Sequence, residues 1–179
     1  RQPGQVGAAR RGELAQAEQA YRRVLELQPD YCEAHNNLAN TLQALRRLAE
    51  ADASCRRALE LKPHLYQAHI TLGNVLQDVG RVSEAEAGFR RALELRPDAY
   101  LAQNNLGSAL HELCKVEAAA QCYRGSVELK PDYHVAYNNL GNALHQLGRL
   151  EEAVRCYRCT LELRPDFYQA HNNVAISLI

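Results

Sequence analysis

The sequence has no methionine and begins at Arg1, so it reads as an excised part of a longer chain. It has no excess of either charge, with 21 Lys+Arg against 21 Asp+Glu. No bulk field therefore steers it to nucleic acid or to an anionic membrane, and neither is expected as a partner. No apolar run approaches the roughly 20 residues needed to span a bilayer, and no charged-then-apolar leader opens the chain. A cytoplasmic or nucleocytoplasmic protein is expected. There is no glycine-rich nucleotide loop, no Ser/His/Asp order and no carboxylate pair in a plausible cleft, so no catalytic residue and no cofactor is assigned. The six cysteines (Cys32, Cys55, Cys114, Cys122, Cys156, Cys159) are scattered within helix-like patterns, which favours reduced thiols over a disulfide framework.

What is present is repetition. The run HVAYNNLGNALHQLGRL at His134–Leu150 has near-copies at Leu101–Val116, Gln67–Val82 and Glu33–Leu48, and it begins again at Gln169. Pro29, Pro63, Pro97, Pro131 and Pro165 stand 34 residues apart. A fixed period of this size signals a stack of two-helix units. Residues 1–11 are read as a poorly ordered or partial helix and 12–31 as the second helix of a truncated repeat. Full repeats are expected at 32–65, 66–99, 100–133 and 134–167, with 168–179 as the first helix of another truncated repeat.

Apolar spacing of three and four within each unit predicts two amphipathic helices. The first helices are expected over Cys32–Leu45, Tyr66–Val79, Tyr100–Leu113 and His134–Leu147, and the second over Leu48–Lys62, Val82–Arg96, Val116–Lys130 and Leu150–Arg164. Asp30, Asp98, Asp132 and Asp166 follow the prolines and are expected to cap the next helix; His64 is the one departure and predicts a weaker start. Gly80 and Gly148 suit the left-handed residue of the turn between helices, whereas Arg46 and Cys114 in that place predict strain. Small residues at Ala39, Gly73, Gly107 and Gly141 recur with bulk at Phe89, Tyr123 and Tyr157, so knobs on one helix fill holes on its neighbour.

This pattern of small residue, large residue and proline at a 34-residue period resembles the tetratricopeptide repeat from Gly12 to Ile179. The resemblance implies an all-α, right-handed superhelix (an α-solenoid) of antiparallel helix pairs. Its first helices would line a concave groove that binds peptides or protein segments.

The residues that single out a binding function are asparagines. Asn37, Asn105, Asn139 and Asn173 precede a Leu or Val, and Asn40, Asn74 and Asn142 lie three residues beyond the same position, on one helical face. Asn is a mediocre helix former, so its return needs a reason. Either it satisfies backbone groups or links adjacent helices, or it forms a ladder whose amides match the donor and acceptor of an extended peptide backbone. Helices about 8–10 Å apart and a ligand advancing roughly 3.3–3.6 Å per residue allow one rung per three ligand residues or so. Four rungs at about 1 kcal/mol each amount to only roughly millimolar affinity, so side-chain pockets or further repeats must add to them. Thr71 interrupts the ladder.

The NNLGN and NNLAN runs also resemble the superhelical repeats of O-GlcNAc transferases. That likeness implies an alternative, the substrate-recruiting arm of a glycosyltransferase whose catalytic domain is not in this chain. A carboxylate clamp for acidic tails is argued against, because Asn36, Ile70, Asn104, Asn138 and Asn172 stand where cations would be needed. His35 and His69, and His111 and His145, recur in pairs, short of the three or four ligands of a metal site, so none is assigned. Cys156 and Cys159 match C-x-x-C inside a helix, away from the N-terminus that would stabilise a thiolate. Arg22–Arg23, Arg56–Arg57 and Arg90–Arg91 read as solvated ion-paired faces. The expected function is a non-catalytic interaction scaffold, with end-to-end self-association through Val174, Ile176 or Leu178 on the uncovered last helix.

Overall fold

The computed structural model describes residues 3–178, with side chains from residue 11 onward. Among the described residues the secondary structure consists of ten α-helices: α1 (Pro3–Leu27), α2 (Cys32–Ala44), α3 (Leu48–Leu61), α4 (Tyr66–Asp78), α5 (Val82–Leu95), α6 (Tyr100–Glu112), α7 (Val116–Leu129), α8 (His134–Gln146), α9 (Leu150–Leu163) and α10 (Tyr168–Ser177). They fall into two compact units, Arg1–Leu95 and Arg96–Ile179. In the first unit α2 packs on α3 and α4 on α5, with α1 against α2 and α3 against α4. In the second, α6 packs on α7 and α8 on α9, with α7 against α8 and α9 against α10. The segment read as a partial helix is continuous with α1 from Pro3, and residues 1 and 2 lie outside the described residues.

Each expected helix ends one residue early, because its last residue is the C-cap: Leu45, Val79, Leu113 and Leu147 close the first helices. The turns that follow share one geometry. At the first, the Arg46 N–H donates to Gln43 O at 2.9 Å and the Arg47 N–H to Leu42 O at 2.9 Å. At the last, Gly148 and Arg149 donate to His145 O and Leu144 O at 3.0 and 2.9 Å. This double bond pattern needs a left-handed residue, and Gly80 and Gly148 supply it with φ of 86° and 74°. Arg46 and Cys114 adopt it at 62° and 59°, a conformation that costs a residue with a Cβ about 1–2 kcal/mol.

The capping expectation is corrected. The helices begin one residue later than aspartate capping requires: the N-caps are Tyr31, Leu65, Ala99, Tyr133 and Phe167, and none makes a side-chain cap bond. The aspartates take cations instead, Asp30 from Arg57 at 2.8 Å, Asp98 from Arg96 at 3.0 Å, Asp132 from Lys130 at 2.8 Å and Asp166 from Arg164 at 3.2 Å. His64 therefore costs α4 no cap, and Leu65 enters its helix with φ −76° and ψ 91°, close to the −82° and 93° of Tyr31.

Packing between paired helices follows the small-to-large rule. An added Cβ on Gly73 would lie 2.5 Å from Phe89 Cε1, on Gly107 2.7 Å from Tyr123 Cε1 and on Gly141 2.5 Å from Tyr157 Cε1. In the first repeat the same two register positions hold Ala39 and Cys55, both fully buried. Leu38, Leu42, Ala51 and Val75 form a core cluster in the first unit, and Tyr21 and Leu25 of α1 pack against it. On the second helices, Arg23–Glu26, Arg57–Glu60 and Arg91–Glu94 pair at 2.6, 3.1 and 2.7 Å with exposed side chains, the solvated faces expected.

Candidate functional site

In the second unit the NN doublets of α6, α8 and α10 split between two surroundings. Adjacent helical positions differ by about 100° in direction, and the first Asn of each doublet on α6 and α8 is buried (Asn104, Asn138) while the second is half-exposed (Asn105, Asn139). The amides then reach from one first helix to the preceding one. Asn139 Nδ2 donates to Asn104 Oδ1 at 3.1 Å. Asn173 Nδ2 donates to Asn142 Oδ1 at 3.0 Å and to Asn138 Oδ1 at 3.5 Å. Asn104 Nδ2 donates to Asn105 Oδ1 at 3.2 Å, and the buried Tyr157 hydroxyl donates to Asn142 Oδ1 at 3.0 Å. Five asparagines and Tyr157 thus link neighbouring helices; for Asn139, Asn142 and Asn173 such a link is one of the two readings that sequence spacing leaves open.

Hydrogen-bond capacity decides what is left for a ligand. A neutral amide has two N–H donors and an oxygen with two lone pairs. Both N–H groups of Asn173 serve the network, so the group it keeps is its Oδ1. Asn142 is the converse: its Oδ1 accepts twice, and its NH2 remains. Asn139 spends one N–H and keeps the other together with its oxygen.

The first unit is built differently. Asn37 and Asn40 are exposed and Asn74 is half-buried. Thr71 stands where the later repeats have the second Asn of the doublet; its buried hydroxyl lies 3.1 Å from Asn40 Oδ1 and 3.0 Å from Gln67 O. It is too short to do what Asn173 does, and the equivalent buried acceptor, Asn36 Oδ1, has no hydrogen-bond partner. Nearby, Gln43 Nε2 donates to Asp78 Oδ2 at 2.8 Å, and Arg46 pairs with the same carboxylate at 3.3 Å.

Four of the seven histidines have hydrogen-bond partners within the fold. His35, His69 and His171 each place Nε2 2.8–2.9 Å from the carbonyl of the proline six residues earlier, Pro29, Pro63 and Pro165. Each ring thereby ties the first turn of its helix to the preceding loop. His111 Nε2 lies 2.6 Å from Gln146 Oε1. The cysteines are free thiols. Burial holds Cys55 up at about 12 and Cys156 up at about 11, and raises Cys159 as well, so none of these three offers a thiolate nucleophile near neutrality.

Beside the Asn142–Asn173 link lies a hollow of about 210 Å³ lined by Asn142, His145, Tyr157, Asn173 and Ile176. Sequence reasoning missed it, together with the linking role of Asn104, Asn138 and Tyr157. The available signal was the doublet itself: two adjacent asparagines cannot both face a groove, so one of each pair had to have another task.

Among the described residues no helix is long and apolar enough to cross a membrane. Sequence models of the tetratricopeptide repeat match residues 32–65, 70–134 and 134–167, and a TPR repeat model matches 9–45. No curated protein matches the sequence. Among solved structures, the chain is similar to YrrB, described as a TPR protein with an unusual peptide-binding site, at 26% identity and a TM-score of 0.73, with 88% of this chain and 81% of that one covered. It is similar in fold to MamA, at 22% identity and a TM-score of 0.74, over 94% of this chain and 98% of that one. Similarity in fold extends to a chain of the APC/C hetero-tetramer Cut9–Hcn1, at 17% identity and a TM-score of 0.83, over 93% of this chain and 33% of that one.

Proposed function

Since the chain belongs to the tetratricopeptide repeat family, as an all-α solenoid of helix pairs, we propose that it is a non-catalytic interaction scaffold holding an extended protein segment along its first helices. The observation that carries this reading is the surplus of amide groups on that face. After linking neighbouring helices, Asn139, Asn142 and Asn173 between them keep both donors and acceptors, and a peptide backbone is the common ligand that needs the two together. Asn37, Asn40, Asn74 and Asn105 are the further contacts proposed. The described peptide-binding site of YrrB supports the class of ligand. The likeness to O-GlcNAc-transferase repeats gives the same groove chemistry a second use, with the held segment as substrate of a catalytic domain elsewhere.

The test is selection of binders from a random-sequence peptide library on phage, followed by fluorescence anisotropy of the selected peptides. An Asn37/Asn105/Asn139/Asn173→Ala variant is compared with the unaltered protein, with helicity checked by circular dichroism. Loss of these contacts at about 1 kcal/mol each predicts an affinity at least about ten-fold weaker. Peptides that bind both proteins equally would move the site off the first helices.

A further inference from the structure

The hollow beside Asn142 has features that the ladder alone does not explain. It is lined by Asn142, His145, the buried Tyr157, Asn173 and Ile176, the last 53% exposed. In the repeat register Ile176 occupies the place that Asn142 holds one repeat earlier, so a polar groove position has become an exposed aliphatic one. At about 210 Å³ the hollow is well below the roughly 300–1,000 Å³ of small-molecule sites. It suits one side chain of a longer ligand.

Its polar groups point to the same occupant. Asn173 presents an acceptor and Asn142 a donor pair, the groups their mutual bond and the Tyr157 bond leave over. In an extended chain the N–H and C=O of one residue face the same side, as they do in a hydrogen-bonded strand pair. One ligand residue can therefore give its N–H to Asn173 Oδ1 and take an N–H from Asn142 Nδ2, with its side chain against Ile176 and the Tyr157 ring. We propose that this hollow is a specificity subsite for an aliphatic side chain of an extended, unmodified peptide segment. The proposal rests on the scaffold reading and deepens it by naming a residue class at one register position. It also supplies a side-chain pocket of the kind that a backbone ladder of roughly millimolar strength requires.

The test uses peptides selected from the random-sequence library on the unaltered chain. Ile176→Asn restores the residue of the preceding repeat at an exposed position, so helicity and thermal midpoint should stay unchanged. Selected peptides should share an aliphatic residue at one position, and their affinity should fall about ten-fold on Ile176→Asn, the effect of withdrawing roughly two buried methylene groups. Replacing that ligand residue by alanine should weaken binding to the unaltered chain by a similar factor and add little on Ile176→Asn. Peptides without a shared aliphatic position, or with equal affinity for both proteins, overturn the subsite; if they still lose binding to the four-asparagine variant, the scaffold reading survives alone. A library that yields no binder overturns both.

Discussion

The pairing of Gly73 with Phe89 makes a quantitative test of how this chain holds its helices together. Gly73→Ala would place a methyl carbon 2.5 Å from Phe89 Cε1 and 2.8 Å from Cδ1 and Cζ, where carbon atoms rest at about 3.5–4.0 Å. The ring is fully buried, so relief requires α4 and α5 to separate by about 1 Å in a close-packed interior. Overpacking of this kind costs about 1–3 kcal/mol, and the absence of free space puts Gly73→Ala in the upper half of that range. Phe89→Cys alone removes the ring and leaves a cavity, at about 3–5 kcal/mol by analogy with Phe→Ala. The double variant recreates the Ala39 and Cys55 combination of the preceding repeat, where both residues are fully buried. With no ring to strike, the methyl fills part of the cavity, so the double variant should be no less stable than Phe89→Cys. The coupling energy is then about 1–3 kcal/mol in favour of the pair. Urea unfolding followed by far-ultraviolet circular dichroism at constant m measures all four corners of the cycle. Losses that add to within about 0.5 kcal/mol would refute the reasoning.

Three other outcomes follow from the structure. Arg46→Gly and Cys114→Gly relieve left-handed strain of about 1–2 kcal/mol, less the greater chain entropy of glycine at about 0.5–1 kcal/mol; each should raise the urea midpoint, and the exposed Arg46–Asp78 pair at 3.3 Å is worth too little to reverse that. Thr71→Asn should stabilise the first unit by about 1 kcal/mol, because it supplies the donor that Asn36 Oδ1 lacks in the manner of Asn173; a lower thermal midpoint would mean that the extra atoms do not fit. Acid should act through carboxylates whose folded pKa is depressed: Glu33 to about 2 by the Cys32 thiol and then Lys62, and Glu18, Glu50, Glu84 and Glu152 downward, chiefly through hydrogen bonds from Arg22, Arg47, Arg81 and Arg149 respectively. Folded values below the unfolded one of about 4.3 mean that their contribution is complete above that pH and is lost as pH falls toward 2, so the thermal midpoint should begin to drop only below about pH 4.5.

The helices were legible because their punctuation is local. Proline stops a helix wherever it stands, and a left-handed turn residue is felt within four residues, so the first and second helices were placed to within one residue and the strained positions Arg46 and Cys114 were found. The aspartate caps failed on an offset of one residue, since Tyr31 and its equivalents, not the aspartates, stand at the N-cap position. The asparagine links were not legible for a different reason. They join residues 31 or 35 positions apart on neighbouring helices, and whether an amide turns toward its neighbour or toward solvent depends on what stands there. Thr71 shows this, since one shorter side chain leaves Asn36 Oδ1 without a hydrogen-bond partner.

The links also share an orientation. Asn139 gives its proton to Asn104, and Asn173 gives its protons to Asn138 and Asn142; every donation between helices in this series runs toward the amino terminus. A row of amides aligned in this way has a head and a tail. On the scaffold proposal, a strand laid along it and the same strand reversed would meet acceptors and donors in opposite order, and the two directions would bind with different affinity.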